Sequence, residues 1–162
     1  MKHTISILCD NKAGVMTRIS GLFSRRGFNI ESLTVGTTEK DGKSRFTIVV
    51  QGDDSVLEQI RKQLQKLVHV IKVWDIKNED IIEREHSLIK IKVDPDRRSE
   101  ILQIITAAEA KILDSTGNFW TLEVTGSTAA VSSAISLLSE YDIVESIRTG
   151  RIALERGFGK GQ

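Results

Sequence analysis

The chain has 162 residues, of which 40% are hydrophobic and 28% charged, and 23 Lys and Arg against 22 Asp and Glu give a formal net charge of +1. This globular composition gives no reason to expect a nucleic-acid partner, because nucleic-acid-binding domains carry a clustered basic excess. The single cysteine excludes a disulfide framework and a multi-thiolate metal site and is typical of a reducing cytosol. Neither a membrane helix of roughly 18 apolar residues nor a secretory signal is evident, so we expect a mature cytoplasmic protein without membrane contact.

The first half of the chain predicts the element order βαββαβ. Apolar residues alternate from Thr4 to Asp10, which is the period of a half-buried strand. A helix ending before Gly27 follows, and its apolar stripe consists of Val15, Met16, Ile19, Leu22 and Phe23. A hairpin turn at residues 40–43 joins two strands rich in β-branched residues. A second helix begins after Asp53, and residues 68–76 form the last strand of the unit.

The same order begins again after a largely polar stretch at residues 77–83, which we expect to be a linker. A strand at residues 89–93 leads into a helix that starts at Asp94 and Pro95. Two strands flank a turn at Gly117, a helix follows Ser127, and the last strand lies at residues 142–147. Six pairs of similar or identical residues lie 74 positions apart: Phe46 and Trp120, Ile48 and Leu122, Val50 and Val124, Gly52 and Gly126, Leu57 and Val131, Leu64 and Leu138. We expect the glycine-rich tail, residues 157–162, to be mobile.

Two copies of this order predict an α+β protein made of two ferredoxin-like βαββαβ domains in tandem, at residues 1–78 and 79–162. In this fold both helices cover one face of an antiparallel sheet. The opposite face of the first sheet is expected to carry apolar residues, namely Leu8, Leu33, Val35, Val49, Ile71 and Val73. A unit of about 75 residues buries only about 60% of its unfolded surface. We therefore expect an obligate homodimer, with any ligand site at the contact between the copies.

The loop from Asp10 to Gly14 precedes the first predicted helix and is a candidate anion site. Free backbone N–H groups and the positive end of the helix dipole suit a carboxylate. Gly14 permits close approach of a ligand because it has no Cβ, and Asn11 can both donate and accept hydrogen bonds. Asn29, at the start of the second strand, is placed to complete a polar clamp across a dimer contact. The same residues also fit ordinary caps and turns, and the spacing alone leaves that alternative open.

Catalytic and metal-binding patterns are absent from the sequence. The three histidines, His3, His69 and His86, are far apart and lack metal-motif spacing, and no nucleophile or acid–base motif is recognisable. Acylphosphatases, which share the ferredoxin-like plan, use an arginine in the loop after the first strand, where this chain has only Lys12. An RNA-recognition module would need aromatic residues on its central strands for stacking, and the few aromatic residues here are better explained as core. We expect neither catalytic nor metal-ligating residues.

Longer stretches of the sequence are specific enough to indicate a family. The segments NKAGVMTRISGLFSRRGFNIESLTVG, SRFTIVVQGD and QIRKQLQKLVHVIKV of the first half, and EREHSLIKIKV and IRTGRIALERG of the second, closely resemble the regulatory small subunit of acetolactate synthase, also called acetohydroxyacid synthase. This resemblance covers nearly the whole chain. It implies that the first domain is an ACT domain, a regulatory module that binds amino acids, and that the second is the C-terminal domain typical of these small subunits.

The resemblance also implies a function. Members of this family bind no cofactor themselves and associate with a large catalytic subunit, which holds thiamine diphosphate, magnesium and FAD and makes acetolactate or acetohydroxybutyrate in branched-chain amino acid biosynthesis. They activate that subunit and usually confer feedback inhibition by valine, sometimes by another branched-chain amino acid, leucine or isoleucine. The effector motif carries over onto six residues of this chain: Asn11, Ala13, Gly14, Val15, Asn29 and Ile30. The competing interpretation is a free-standing ACT module that senses an amino acid for another partner.

Overall fold

The structure is a computed structural model of the chain that describes residues 1–76 and 81–157. Its contacts divide the chain into two compact units, one formed by residues 1–82 and the segment from Arg151 onward, the other by residues 83–150. Most of the predicted linker, residues 77–80, lies outside the described residues, as does the predicted mobile tail beyond residue 157. Residues 81–83 are not a linker, because they begin a long strand.

The described residues form helices and strands whose bounds are β1 Lys2–Asp10, α1 Val15–Arg26, β2 Ile30–Thr37, β3 Lys43–Gln51, α2 Asp54–Leu64, β4 Val70–Ile76, β5 Ile81–Lys92, α3 Arg98–Ala107, β6 Lys111–Thr116, β7 Phe119–Gly126, α4 Thr128–Leu138, β8 Ile143–Arg148 and β9 Ile152–Glu155. A short 3₁₀ turn at Pro95–Arg97 precedes α3. None of the helices in these ranges is long and apolar enough to cross a membrane.

The first unit has the predicted ferredoxin-like fold. Its antiparallel sheet has the strand order β2-β3-β1-β4, and α1 and α2 cover one face. The register places Ile5 opposite Ile48 and Ile7 opposite Phe46. These side chains form one buried core with apolar residues of both helices, namely Val15, Ile19, Leu22, Phe23, Ile60 and Leu64.

The second unit repeats this arrangement, which confirms the prediction of two tandem ferredoxin-like domains. Its strands follow the equivalent order β6-β7-β5-β8. Ile89 lies opposite Leu122 and Ile91 opposite Trp120, and all four are buried with residues of α3 and α4. The core positions 74 residues apart are therefore equivalent in space as well as in sequence.

The prediction of which apolar residues lie on the face of the first sheet opposite the helices is only partly correct. Leu8 and Val49 do lie on that face, but Leu33, Val35 and Val73 point to the helix side. The register shows why: Leu33 lies opposite Ile48, Val35 opposite Phe46, and Val73 opposite Ile7. Ile71 has no partner in the β1–β4 register and is half exposed. This extra residue shifts the alternation along β4, so the sequence pattern assigns Val73 to the wrong face.

Strand β9 was not predicted from the sequence and changes the environment of that face. Its Ala153 forms a small buried cluster with Leu8, Trp74 and Ile76. The central strand β1 is buried on both faces from Thr4 to Cys9. The expectation that this apolar face needs a second copy of the chain to cover it therefore loses its main support.

Candidate functional site

The loop between β1 and α1 is held in place by its neighbours in the sheet. The Asp10 N–H donates to the His69 carbonyl at 2.9 Å, and the Asn11 N–H donates to the Gly42 carbonyl at 2.8 Å. Asn11, Ala13 and Gly14 are nevertheless exposed. The loop is thus a fixed but accessible entrance to α1.

The N-terminus of α1 lacks the side-chain cap that two other helices have. Asp53 accepts a hydrogen bond from the Val56 N–H at the start of α2, and Ser127 accepts one from the Ala130 N–H at the start of α4. The N-cap residue of α1 is Gly14, with φ of 83° and no side chain to accept such a bond. A Cβ built on Gly14 would meet no heavy atom within 4 Å. The Val15 N–H already donates to the Lys12 carbonyl at 3.4 Å, and the space beside Gly14 is open, which suits a bound anion at the remaining donors of the first turn.

A cleft of about 200 Å³ lies beside this helix N-terminus. Its lining comes from the loop, the first turn of α1, and the β2–β3 hairpin: Cys9, Asp10, Asn11, Lys12, Val15, Met16, Val35, Ser44 and Phe46. Cys9, Val15 and Phe46 are buried, whereas Met16 and Val35 are about half exposed. The buried residues Cys9, Val15 and Phe46 form the apolar floor of the cleft, and the half-exposed Met16 and Val35 form its apolar walls. The exposed polar residues Asn11 and Lys12 form its rim.

The carboxylate of Asp10 forms hydrogen bonds with two side chains. Lys43 Nζ donates to Asp10 Oδ1 at 2.5 Å, and His69 Nδ1 lies 2.9 Å from Oδ2. These two hydrogen bonds, with that from Lys43 the stronger influence, lower the pKa of Asp10 from 3.8 to about 2. Asp10 is therefore ionised at neutral pH, and its negative charge is compensated.

The thiol of Cys9 behaves differently. Its Sγ donates to the Ser44 carbonyl at 3.5 Å, and burial raises the pKa of the thiol. A protonated, buried thiol is a small apolar part of the cleft floor and not a reactive nucleophile.

The structure brings only some of the predicted site residues together. Asn11 and Val15 line the cleft, whereas Ala13 and Gly14 lie in the loop between these two residues but are not part of the lining. Asn29 and Ile30 lie elsewhere, because Ile30 pairs with Val50 at the far end of the sheet. The eight residues of β2 separate the two groups by roughly 20 Å at the usual rise of a strand. Within one chain, Asn29 and Ile30 therefore do not contribute to the cleft.

Sequence reasoning did not place several residues of this site correctly. Met16 was expected on the buried stripe of α1 but is 51% exposed beside the cleft. Val35 and Phe46 share the cleft because they pair across the β2–β3 ladder, and only the hairpin register would have shown this. The part of the chain that the structure describes contains no group of three His, Cys, Asp or Glu side chains arranged to hold a metal ion.

Comparison with known proteins places the chain in a family. Residues 5–72 match a family described as the AHAS small subunit-like ACT domain, and residues 84–157 match the small subunit of acetolactate synthase. A probable acetolactate synthase small subunit of Archaeoglobus fulgidus is 52% identical, over 97% of this chain and 98% of that protein. The chain belongs to the acetolactate synthase small-subunit family. The acetolactate synthase small subunit of Mycolicibacterium smegmatis is 43% identical, over 96% of this chain and 91% of the relative.

A solved structure agrees with this assignment. The crystal structure of the acetolactate synthase small subunit of Thermotoga maritima matches with a TM-score of 0.90 and 43% identity, covering 97% of this chain and 98% of that one. The first unit is accordingly an ACT domain, and membership of a small-subunit family implies a catalytic large subunit as partner. The assignment of effector-binding residues within this chain stays a prediction.

Proposed function

We propose that this chain is the regulatory subunit that activates an acetolactate synthase large subunit and confers feedback inhibition by valine. The observation that supports this most directly is the combination, in an ACT domain, of an uncapped α1 N-terminus with an adjacent apolar cleft. An amino acid needs both features, because its carboxylate seeks N–H donors while its side chain seeks an apolar surface.

In the proposed complex, the valine carboxylate binds the backbone donors near Gly14. Val15 and the apolar cleft receive the isopropyl group, and Asn11 at the rim and Ala13 in the adjoining loop have side-chain or carbonyl oxygens that can accept from the ammonium group. The open space around Gly14 leaves room for this approach.

A second copy of the chain would bring the remaining predicted residues to the site. Among the described strands, β2 pairs only with β3, so its other edge is available. Antiparallel pairing of two β2 strands about a two-fold axis would place the Ile30 end of one strand beside the Thr37 end of the other. Asn29 and Ile30 of the partner subunit would then lie next to Val35 and the cleft. This geometry supports a homodimer with valine at the ACT–ACT interface.

The catalytic chemistry in this proposal belongs to the large subunit. We place thiamine diphosphate, magnesium and FAD there, for the condensation of two pyruvates, or of pyruvate with 2-oxobutyrate, in branched-chain amino acid biosynthesis. This chain contributes binding and regulation. Valine can shift the complex only by its different affinity for two arrangements of the subunits, typically about 1–3 kcal/mol of coupling.

The test uses Gly14→Asp with Gly14→Asn as matched control. Both side chains tolerate a left-handed backbone better than most residues do, but only aspartate places a negative charge at the carboxylate site. Isothermal titration of the full chain should show saturable valine binding that Gly14→Asp abolishes and Gly14→Asn only weakens. With the large subunit, Gly14→Asp should lose valine inhibition.

Two results would contradict the proposal. Normal valine inhibition of the Gly14→Asp holoenzyme would show that the effector site lies elsewhere. Failure of the wild-type chain to associate with a thiamine-dependent large subunit, despite binding an amino acid, would favour a free-standing ACT sensor instead.

A further inference from the structure

We propose that two copies of the chain associate through the free edge of the second sheet, with β6 of one copy antiparallel to β6 of the other. In this contact Lys111 lies opposite Asp114 of the partner subunit, and Ile112 lies opposite Leu113 of the partner subunit. The contact is a second self-association surface besides the proposed pairing of the β2 strands. It involves no residue of the effector cleft, so it does not depend on valine binding.

Strand β6 lies at the edge of its sheet. Among the described strands it pairs only with β7, so its other edge is available for pairing. All six of its residues are exposed, and two of them are large and apolar, Ile112 at 36% and Leu113 at 49% exposure. An exposed edge strand with apolar side chains is a template for pairing with another strand.

A β-bulge determines which side chains of β6 share a face. Lys111 lies opposite Glu123, and Asp114 lies opposite Thr121. The two β7 residues are two positions apart and point to the same face, whereas Lys111 and Asp114 are three positions apart and would point to opposite faces in a regular strand. The extra residue in β6 is Leu113, which has no partner in this register. Lys111 and Asp114 therefore lie on the same face of the sheet.

This arrangement makes β6 complementary to itself. When two copies of a strand pair antiparallel about a two-fold axis perpendicular to the sheet, residues opposite each other must point to the same face. A register centred between Ile112 and Leu113 meets this condition, because it places Lys111 opposite the partner's Asp114. A register with the partner's Ser115 opposite Lys111 would join side chains on different faces. The bulge thus selects one register, in which the pairs between oppositely charged residues occur twice.

The charges of β6 favour a second copy as the occupant of this edge. In the part of the chain that the structure describes, neither Lys111 nor Asp114 takes part in an ion pair, and Asp114 accepts a hydrogen bond from the Thr116 hydroxyl at 2.9 Å. Opposite charges directly across a ladder stabilise the pairing of two strands. A lysine and a bulge also discourage pairing with unrelated strands, so the edge fits a strand that carries the same bulge.

Charge reversal tests the contact. Sedimentation equilibrium of the full chain at low salt, where exposed charges are least screened, compares wild type with Lys111→Glu, Asp114→Lys and the double variant. Each single reversal replaces both ion pairs of the contact by like-charge pairs and should weaken self-association by about tenfold. The double variant exchanges the charges, so its association should return to within about threefold of wild type. Lys92→Glu is the matched control, because Lys92 is an exposed lysine of β5 in the same sheet, and it should leave association unchanged.

Cysteine substitution tests the register. Lys111→Cys and Asp114→Cys chains with different tags are produced together and oxidised. Directly opposite residues have Cβ atoms roughly 4.5–5.5 Å apart, close to the spacing of a disulfide, so a mixed disulfide-linked dimer should form. Either variant alone should not cross-link, because its two introduced thiols would lie roughly 10 Å apart along the strands. The native Cys9 is buried in every variant background.

Two results would overturn the proposal. One is an association constant that neither single charge reversal changes. The other is a mixed sample of the two cysteine variants that cross-links no more than either variant alone. Circular dichroism checks that these variants are folded, and because β6 lies outside the effector cleft, either failure would leave the proposed function intact.

Discussion

At the scale of single residues, Asp10 connects the candidate site to the stability of the first unit. Its pKa is lowered from 3.8 to about 2 by hydrogen bonds with Lys43 and His69, so the folded state holds the ionised form more favourably than the unfolded chain does. This stabilisation is complete above about pH 4 and disappears as the pH falls through about 2. Asp10→Asn should therefore destabilise the chain near neutral pH, and the difference from wild type should shrink toward pH 3 and below.

Urea unfolding between pH 3 and 7 measures this effect. Asp41→Asn is the control, because Asp41 is exposed in the neighbouring hairpin turn. Its stability difference from wild type should not change with pH. A stability difference between Asp10→Asn and wild type that stayed constant over the whole range would show that the Lys43 and His69 contacts do not act through the charge of Asp10.

At the scale of elements, the β3–α2 junction of the first unit and the equivalent β7–α4 junction of the second differ in the packing around one glycine. A Cβ on Gly52 would lie 2.7 Å from Cγ1 and 2.9 Å from Cβ of Val56, whereas a Cβ on Gly126 would lie 3.0 Å from Cβ of Ala130. Rotation of the Val56 side chain cannot relieve this clash, because the Val56 Cβ itself lies too close to the added Cβ. Gly52→Ala should cost about 1–3 kcal/mol of unfolding free energy through overpacking, and Gly126→Ala should cost less, because its single contact, with the Ala130 Cβ at 3.0 Å, is longer and no Cγ atom adds to it.

The junction at Gly126 and Ala130 in the second unit is the control for the junction at Gly52 and Val56 in the first. The double variant Gly52→Ala with Val56→Ala recreates a junction with a small residue four positions on, as at Ala130, and should recover part of the loss. Thermal and denaturant unfolding of the full chain measure all these variants. Equal effects of Gly52→Ala and Gly126→Ala would rule out the contact with Val56 as the cause.

The elements also show what sequence patterns can and cannot give. Helical and strand periodicity were sufficient to predict both βαββαβ units, because apolar residues recur with the helical or strand period in most of their elements. An irregular residue such as Ile71 defeats the same reasoning, since one extra residue in a strand inverts the faces beyond it. The loop of the candidate site was visible from Gly14 and Asn11, but the walls of its cleft depend on the β2–β3 register, which short-range spacing does not specify.

At the scale of the whole molecule, the two units share a fold but not the features of the candidate site. The loop after β1 ends in Gly14 and leaves α1 uncapped. The corresponding loop after β5 runs through Asp94 into a 3₁₀ turn at Pro95–Arg97 without a glycine. Pro95 has no N–H to offer, and Glu100 adds a negative charge in the first turn of α3. Repetition has therefore copied the packing of the core, whereas the glycine that precedes α1 has no counterpart before α3, although neither helix has a side-chain cap.

The proposed position of valine between two ACT domains makes a further prediction about assembly. If residues of both copies contact the effector, valine binds the dimer better than the monomer, and linkage requires that each bound valine strengthens dimerisation by the ratio of these two affinities. With a total coupling of about 1–3 kcal/mol from the two equivalent sites, the dimer dissociation constant should fall roughly 5- to 150-fold at saturating valine. Sedimentation equilibrium of the full chain with and without valine measures this change, and Gly14→Asp should show none. A dimer whose affinity is the same in both conditions, in a chain that does bind valine, would place the effector within one protomer, because a ligand that binds better to the dimer than to the monomer must strengthen their association.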